Sequence, residues 1–416
     1  MHWLTLLFLL VLAARTAVRI WLASRQIAAV RAHRDHVPAP FSERVGLEQH
    51  RKAADYTAAR TRLRLCEVVV DAAVLLAFTL GGGISWVDST VGRLDLGTPW
   101  HGVLVILCVL LFISVIELPF SIWRTFGIEA RFGFNRMTPG LFIADLVRGL
   151  VLALVIGVPL LLAVLALMEH AGAWWWLAVW GVWLAFTLAL TWAWPRFIAP
   201  LFNRFEPLTD EELKKRVEAL VARCGFTPQG VFVMNGSRRS THGNAYFAGF
   251  GRNKRIVLFD TLLERLETAE VEAVLAHELG HFRLRHIARR LVLSAVASLA
   301  GLALLAWLAE QPWFYAALGV HVPSTHTALL LFLLVAPVFT YFTTPIAAWW
   351  SRRDEFAADE FAARHADARQ LASALVKLYR DNASTLTPDR LHSAFYDSHP
   401  PPLARIARLE ASAARS

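Results

Sequence analysis

Seven stretches of the chain are apolar over close to the ~20 residues that a bilayer core requires. They are Trp3–Ala23, Val68–Val87, Val103–Phe120, Leu141–Met168, Ala173–Trp194, Leu291–Leu308 and Ala328–Trp350. Each is predicted to be a membrane-spanning helix. Arg15 and Arg19 interrupt the first and no clean cleavage site follows it, so it reads as a retained helix and not as a signal peptide. Pro119 is expected to end or kink the third. Trp174, Trp175, Trp176, Trp192 and Trp194 sit at the two ends of the fifth, as interfacial belts do.

Polar sequence fills the gaps. Ser24 to Leu65 reads as a polar loop, and Pro195 to Arg290 as a soluble insertion. Within the insertion, Thr209 to Cys224 has helical spacing, with Thr209 or Asp210 as its cap and Gly225 as its stop. Gly230 to Met234 reads as a short strand. Asn244 to Phe250, Gly251-Arg252-Asn253 and Arg255 to Phe259 read as a β-hairpin. A helix starts at Thr268 and meets no breaker before Leu291. The tail from Ser351 is polar and helical, broken at Asn382 to Pro388 and at Pro400-Pro401-Pro402. The expected fold is therefore a mainly α membrane protein carrying an α+β soluble part. Its divisions are spans 1–5 (1–194), the insertion (195–290), spans 6–7 (291–350) and a helical tail (351–416).

Composition agrees with that class: 56% of the 416 residues are hydrophobic and 16 are Trp. The net charge of +9 sits in loops, so it points to anionic lipid and not to a nucleic acid. Basic loops (24–65, and the one with Arg124, Arg131 and Arg136) alternate with loops holding one basic residue or none. This predicts the N-terminus outside, with the insertion and the tail in the cytoplasm. Only five of the basic residues are Lys, which suggests a bacterial host and hence the inner membrane. The cysteines, Cys66, Cys108 and Cys224, have no metal-type spacing and predict no disulfide framework.

The chemistry lies in Val271 to Arg290. His277-Glu278-Leu279-Gly280-His281 is an H-E-x-x-H, and on a helix His277 and His281 share one face. Two imidazoles suit one zinc ion per chain, and Glu278 is free to act as general base toward water. A third ligand is needed from another helix. Glu355, just beyond the seventh span, is the choice, with Asp359 one turn on as a hydrogen-bond partner for a ligand imidazole. Taken alone, Glu355 and Asp359 also read as a solvated helix face. Arg15, Arg19, Asp71, Glu117, Asp145 and Arg148 fall in or near spans, where charges face a bundle interior or a watery cavity, or snorkel from span ends. A seven-span transporter would explain those charges but not the H-E-x-x-H. An inactive scaffold would not need Glu278.

Several motifs in order resemble the type 1 CAAX prenyl protease family, which are integral-membrane zinc endopeptidases. They are His277 to His281, the Glu355-x-x-x-Asp359 segment, Arg239 to Phe247, Gly127 to Asn135 and Ser393 to Pro400. The resemblance covers nearly the whole chain and implies a chamber enclosed by the helices. It implies His277, His281 and Glu355 as zinc ligands and Glu278 as the group that activates water. Asn244, Ala245, Tyr246 and Phe247 match the segment the family uses as a substrate-binding edge strand. His399 and Arg405 match tail residues near the active site, where either could stabilise an oxyanion. Gly243 departs from the family pattern, which has Ser there, and is expected to loosen the turn into the strand. The implied substrates are membrane-associated or prenylated C-terminal peptides, or membrane proteins undergoing general turnover. His242, His286 and His365 are given no role.

Overall fold

A computed structural model describes residues 2–226, 230–248 and 255–414. The membrane part contains α1 (Trp3–Ala32), α2 (Leu47–Phe78), α3 (Gly83–Gly92), α4 (Trp100–Ile122), α5 (Pro139–His170) and α6 (Trp175–Ala193). The α/β part contains α7 (Ala199–Phe202), β1 (Phe205–Pro207), α8 (Glu211–Arg223), β2 (Val231–Met234), β3 (Ala245–Ala248), β4 (Arg255–Phe259), α9 (Asp260–Leu263) and α10 (Thr268–Arg283). The chain then re-enters the membrane through α11 (His286–Ala309), α12 (Pro312–Ala317) and α13 (Thr325–Thr340). It ends with α14 (Thr344–His365), α15 (Ala368–Asp381), α16 (Arg390–Tyr396) and α17 (Pro402–Ala413).

Among the described residues, six helices are long and apolar enough to cross a membrane, and seven if the α2–α3 pair counts as one span. That pair is bent by 52° and corrects the expectation of an unbroken second span. The cause is visible in the sequence: Gly81, Gly82 and Gly83 are consecutive, and Gly82 takes φ +77°. Gly319, at φ +81°, docks in the break, where a Cβ would lie 2.5 Å from the Thr79 carbonyl oxygen. Pro119 does not end its helix. α4 continues past it and into a π-helical turn, Trp123–Glu129. A similar π turn at Trp194–Ile198 carries the fifth span on to Phe202, so the soluble part starts later than residue 195.

The polar segment 24–65 is mostly helix, because α1 and α2 run well past their apolar portions. The short link between them places Phe41 and Val45 in the core of the α/β part, beside Val217, Leu220, Leu258 and Leu275. Each such large apolar side chain contributes roughly 1.5–3 kcal/mol on burial. A second core, around Phe8, Ile84, Ile106, Leu305 and Leu330, holds the opposite end of the bundle.

In the α/β part, α8 has the expected limits. Asp210 caps it by accepting from the Glu212 and Leu213 N–H groups, both at 3.0 Å, and Gly225 stops it at φ +73°. The strands form one sheet in the order β1-β2-β4-β3. β3 and β4 pair antiparallel, Ala245 opposite Leu258, whereas β2 and β4 run parallel. The expected hairpin turn, Gly251-Arg252-Asn253, lies outside the described residues. The expected unbroken passage from α10 into the sixth span is corrected. α10 ends at Arg283, and Arg285 takes the left-handed conformation, φ +57°, before α11 starts.

Candidate metal centre

α10 is fixed at its start and pressed against α14 near its end. Glu270 accepts from the Glu267 N–H at 2.9 Å, and Ser373 and Lys377 of α15 donate to it at 2.7 and 2.8 Å. Gly280, between the two histidines, faces Ala358 of α14. A Cβ there would lie 3.0 Å from the Ala358 Cα. This small-on-small contact lets α14 approach closely enough to deliver Glu355.

The three predicted ligands meet. The Nε2 atoms of His277 and His281 are 3.2 Å apart. Glu355 Oε2 is 3.5 Å from His277 Nε2, and its Oε1 is 3.2 Å from His281 Nε2. Bonds of ~2.0–2.1 Å to a tetrahedral ion would set its ligand atoms ~3.3 Å apart. Glu355 Oε2 is buried, and although His399 Nδ1 lies 2.7 Å away it makes no well-aligned hydrogen bond, a lack that a cation would satisfy. Two imidazoles and a carboxylate are a zinc-type donor set. Glu278, half-buried, is adjacent to His277 and outside that set.

Each imidazole has a partner behind it. Asp359 Oδ1 lies 2.9 Å from His277 Nδ1, and Arg405 holds Asp359 with two bonds of 2.8 and 2.7 Å. Burial and the Arg405 charge oppose protonation of His277. The carboxylates of Asp359 and Glu355 outweigh them and raise its pKa to about 9. His281 Nδ1 lies 3.0 Å from His286 Nδ1, and His286 Nε2 is 3.8 Å from Asp354, itself clamped by Arg289. His286 and Asp354 therefore back the second histidine, a role the sequence reading missed. The break at Arg285 makes this contact possible, and no glycine or proline announces it.

His399 and Arg405 separate. His399 Nδ1 approaches Glu355 Oε2 to 2.7 Å, and its side chain is 63% exposed. Arg405 is only 5% exposed and its guanidinium is engaged by Asp359, with its Nη2 3.2 Å from the His277 ring nitrogens. Arg405 Nε and Nη2 are taken by Asp359, while its Nη1 lies 3.6 Å from Glu355 Oε2, the oxygen that His399 approaches.

β3 is an edge strand packed against α10. The Phe259 N–H donates to the Asn244 carbonyl. Antiparallel alternation from that pair turns the Ala245 and Phe247 backbone groups away from β4 and toward the open edge. Among the described residues, the Ala245 N–H is met by the Asn244 side-chain oxygen, at 2.8 Å. Gly243 is held by Asn382, 3.2 Å from its N–H, and a Cβ there would make ordinary contacts of 3.4 Å or more. A Ser would fit at this position, and the Asn382 side chain holds the turn where Gly stands. His242 stacks on Phe134 and His365 on Phe361.

The intramembrane charges are partly paired. Arg19 bonds Asp71 at 3.0 Å, and a cavity of about 240 Å³ between the spans is lined by Arg15, Asp71 and Glu117. Asp145 receives Arg239 at 2.8 Å and Arg148 at 3.0 Å, tying α5 to the α/β part.

Residues 26–204 match the family described as CAAX prenyl protease N-terminal, five membrane helices, and residues 207–413 match peptidase family M48. The CAAX prenyl protease 1 homolog of Caenorhabditis elegans is 30% identical over 99% of both chains. The human homolog is 33% identical over 72% of this chain and 71% of its own. CAAX prenyl protease 1 of Saccharomyces cerevisiae is 34% identical over 71% of this chain and 69% of its own. The crystal structure of S. mikatae Ste24p superposes with a TM-score of 0.90 at 28% identity, covering 98% of this chain and 99% of that one.

Proposed function

This chain belongs to peptidase family M48, with the membrane region of the CAAX prenyl proteases, and we propose that it is a zinc endopeptidase acting on membrane-associated peptides, prenylated CAAX-type C-termini among them. The observation that carries this reading is the meeting of His277, His281 and Glu355, with ligand atoms within 4.8 Å of one another, beside an edge strand.

A zinc ion held by those three residues would supply Lewis-acid polarisation of the scissile carbonyl and of water. Glu278 takes the proton of the attacking water and returns it to the leaving amine. Asp359 and His286 fix the imidazole orientations. His399, exposed beside Glu355, stands where it can donate to the developing oxyanion. β3 holds an extended peptide through the outward backbone groups of Ala245 and Phe247, with Asn244 and Tyr246 flanking them.

The lipid preference follows from placement. Glu355 is five residues beyond Trp350, so ~8 Å along the helix, and α11 starts five residues after His281. A peptide cut there keeps a prenyl group within reach of the bilayer. The alternating loop charges favour a cytoplasmic catalytic part. A bacterial inner membrane rests on arginine usage alone, since the relatives named above come from a worm, a human and a yeast.

The test compares hydrolysis of a farnesylated CAAX peptide with its unprenylated form by the detergent-solubilised chain. Glu278→Gln should retain its zinc and lose cleavage at least 100-fold. Equal rates on both peptides would favour general membrane-protein turnover. Undiminished cleavage by Glu278→Gln would overturn the mechanism.

A further inference from the structure

A second set of metal-type ligands lies at the far end of the bundle. Asp88 is on α3, His101 in the first turn of α4 and His326 in the first turn of α13. The Nε2 atoms of His101 and His326 are 2.8 and 2.7 Å from the same oxygen, Asp88 Oδ1. The two rings meet edge to face, 5.1 Å between centroids. Ser324, which caps α13, brings its hydroxyl to 3.2 Å from His326 Nε2. From His326 to Glu355 the chain runs along α13 and α14, roughly 40 Å at ~1.5 Å per residue. These side chains take no part in the peptidase site.

We propose that Asp88, His101 and His326 form a second divalent-metal site of zinc type, which fastens the end of the bundle opposite the catalytic part. Three observations converge on it. The donor set is two imidazoles and a carboxylate, and its ligand atoms lie within 4.8 Å of one another, as at the first centre. The site is built by close backbone approach. A Cβ on Gly102 would lie 2.7 Å from the His326 Cβ, so α4 and α13 touch here and the ring separation is set by the main chain. Finally, there is something to fasten. α3 follows the 52° break and is not continuous with α2. An ion shared by Asp88, His101 and His326 joins it to the starts of two intact spans. Zinc fits best, since four-coordinate N and O donors at a partly sheltered site suit it, and Ser324 or water supplies the fourth position.

The experiment uses the full chain in detergent, stripped with a chelator and reloaded with Zn²⁺ or Co²⁺. The wild-type chain should bind two equivalents, and His326→Gln or Asp88→Asn should bind one while cleaving peptide at a rate within about twofold of wild type. In a chain carrying His281→Gln with Glu355→Gln, one equivalent should remain, with Co²⁺ absorption in the visible that disappears on adding His326→Gln. Zinc should raise the melting temperature of that chain and leave the one also carrying His326→Gln unmoved. The proposal is overturned if wild type and His326→Gln hold the same number of equivalents, or if the chain lacking the first centre takes up no Co²⁺. Since the second arm omits the peptidase ligands, its outcome is independent of the proposed function.

Discussion

At the scale of the residue, the centre is a set of paired ionisable groups whose balance a metal would change. The metal-free His277, held between Asp359 and Glu355 with its pKa raised to about 9, carries a proton at pH 7 that zinc must displace. Apparent zinc affinity should therefore rise about tenfold per pH unit up to about pH 9 and then flatten, with one proton released per ion. Chelator-competition titrations in buffers of different ionisation enthalpy read both quantities. A pH-independent affinity between pH 6 and 8 would show that the carboxylates do not hold His277 in this way. Asp359→Asn removes the partner of the His277 ring and should weaken zinc binding or cleavage by 10- to 100-fold, and His286→Ala should do the same through His281. Of these residues, His277, Glu278 and His281 were legible because their spacing is local to one helix. Glu355 and Asp359 were legible as a pair at helical spacing. His286 was not, because its contact depends on a left-handed arginine, and propensity gives no sign of that. The burial of Arg405 was also hidden, since nothing around it in sequence marks α17 as packed beneath the ligands.

At the scale of the element, two contacts decide whether the site works: α10 against α14, and β3 at the sheet edge. Gly280→Ala places a methyl 3.0 Å from the Ala358 Cα, so the helices must part by a few tenths of an ångström. Zinc occupancy should fall in this variant while the chain still folds, and Gly280→Val should lose zinc altogether; metal analysis of the purified variants checks both. For β3, the pairing alternation makes a sharper case. Ala245→Pro and Phe247→Pro each remove an outward N–H, whereas Tyr246→Pro removes one that faces Val257 across the ladder. One lost substrate hydrogen bond is worth about 0.5–1.5 kcal/mol, so the first two should lower kcat/KM roughly two- to twelve-fold with zinc retained. Tyr246→Pro should instead lower the melting temperature. Wild-type cleavage by both outward variants would end the edge-strand reading. The hairpin itself was readable from its alternation. Its place at the edge came only from the family resemblance, because a parallel β2–β4 pairing across intervening chain depends on contacts far apart in sequence. The bend between α2 and α3 had a local signal in three consecutive glycines, but apolar composition outweighed it.

At the scale of the molecule, two large hydrophobic cores are joined by helices that cross between them. The core of the catalytic part includes Phe41 and Val45 from the link between α1 and α2, so the soluble part is seated on the first helical hairpin as well as on α14. Seven apolar stretches made the bundle legible; this seating was not, because the segment that provides it reads as polar loop. The arrangement fixes which ends of the helices share a side. The links before α4 and before α13 lie at the end away from the metal centre. The basic hairpin of α1 and α2 lies at the catalytic end, and lysine- and arginine-rich loops stay in the cytoplasm. In a chain freed of Cys66, Cys108 and Cys224, a membrane-impermeant thiol reagent applied to intact cells should label Val322→Cys and leave Lys215→Cys untouched until the membrane is opened. Both positions are exposed. Gly319 would be a poor reporter, because a side chain there collides with the Thr79 carbonyl and would disturb the bent span. Labelling of Lys215→Cys from outside would invert the molecule. It would set the catalytic part on the side where cytoplasmic prenylated tails are absent, and the substrate proposal would fall with it.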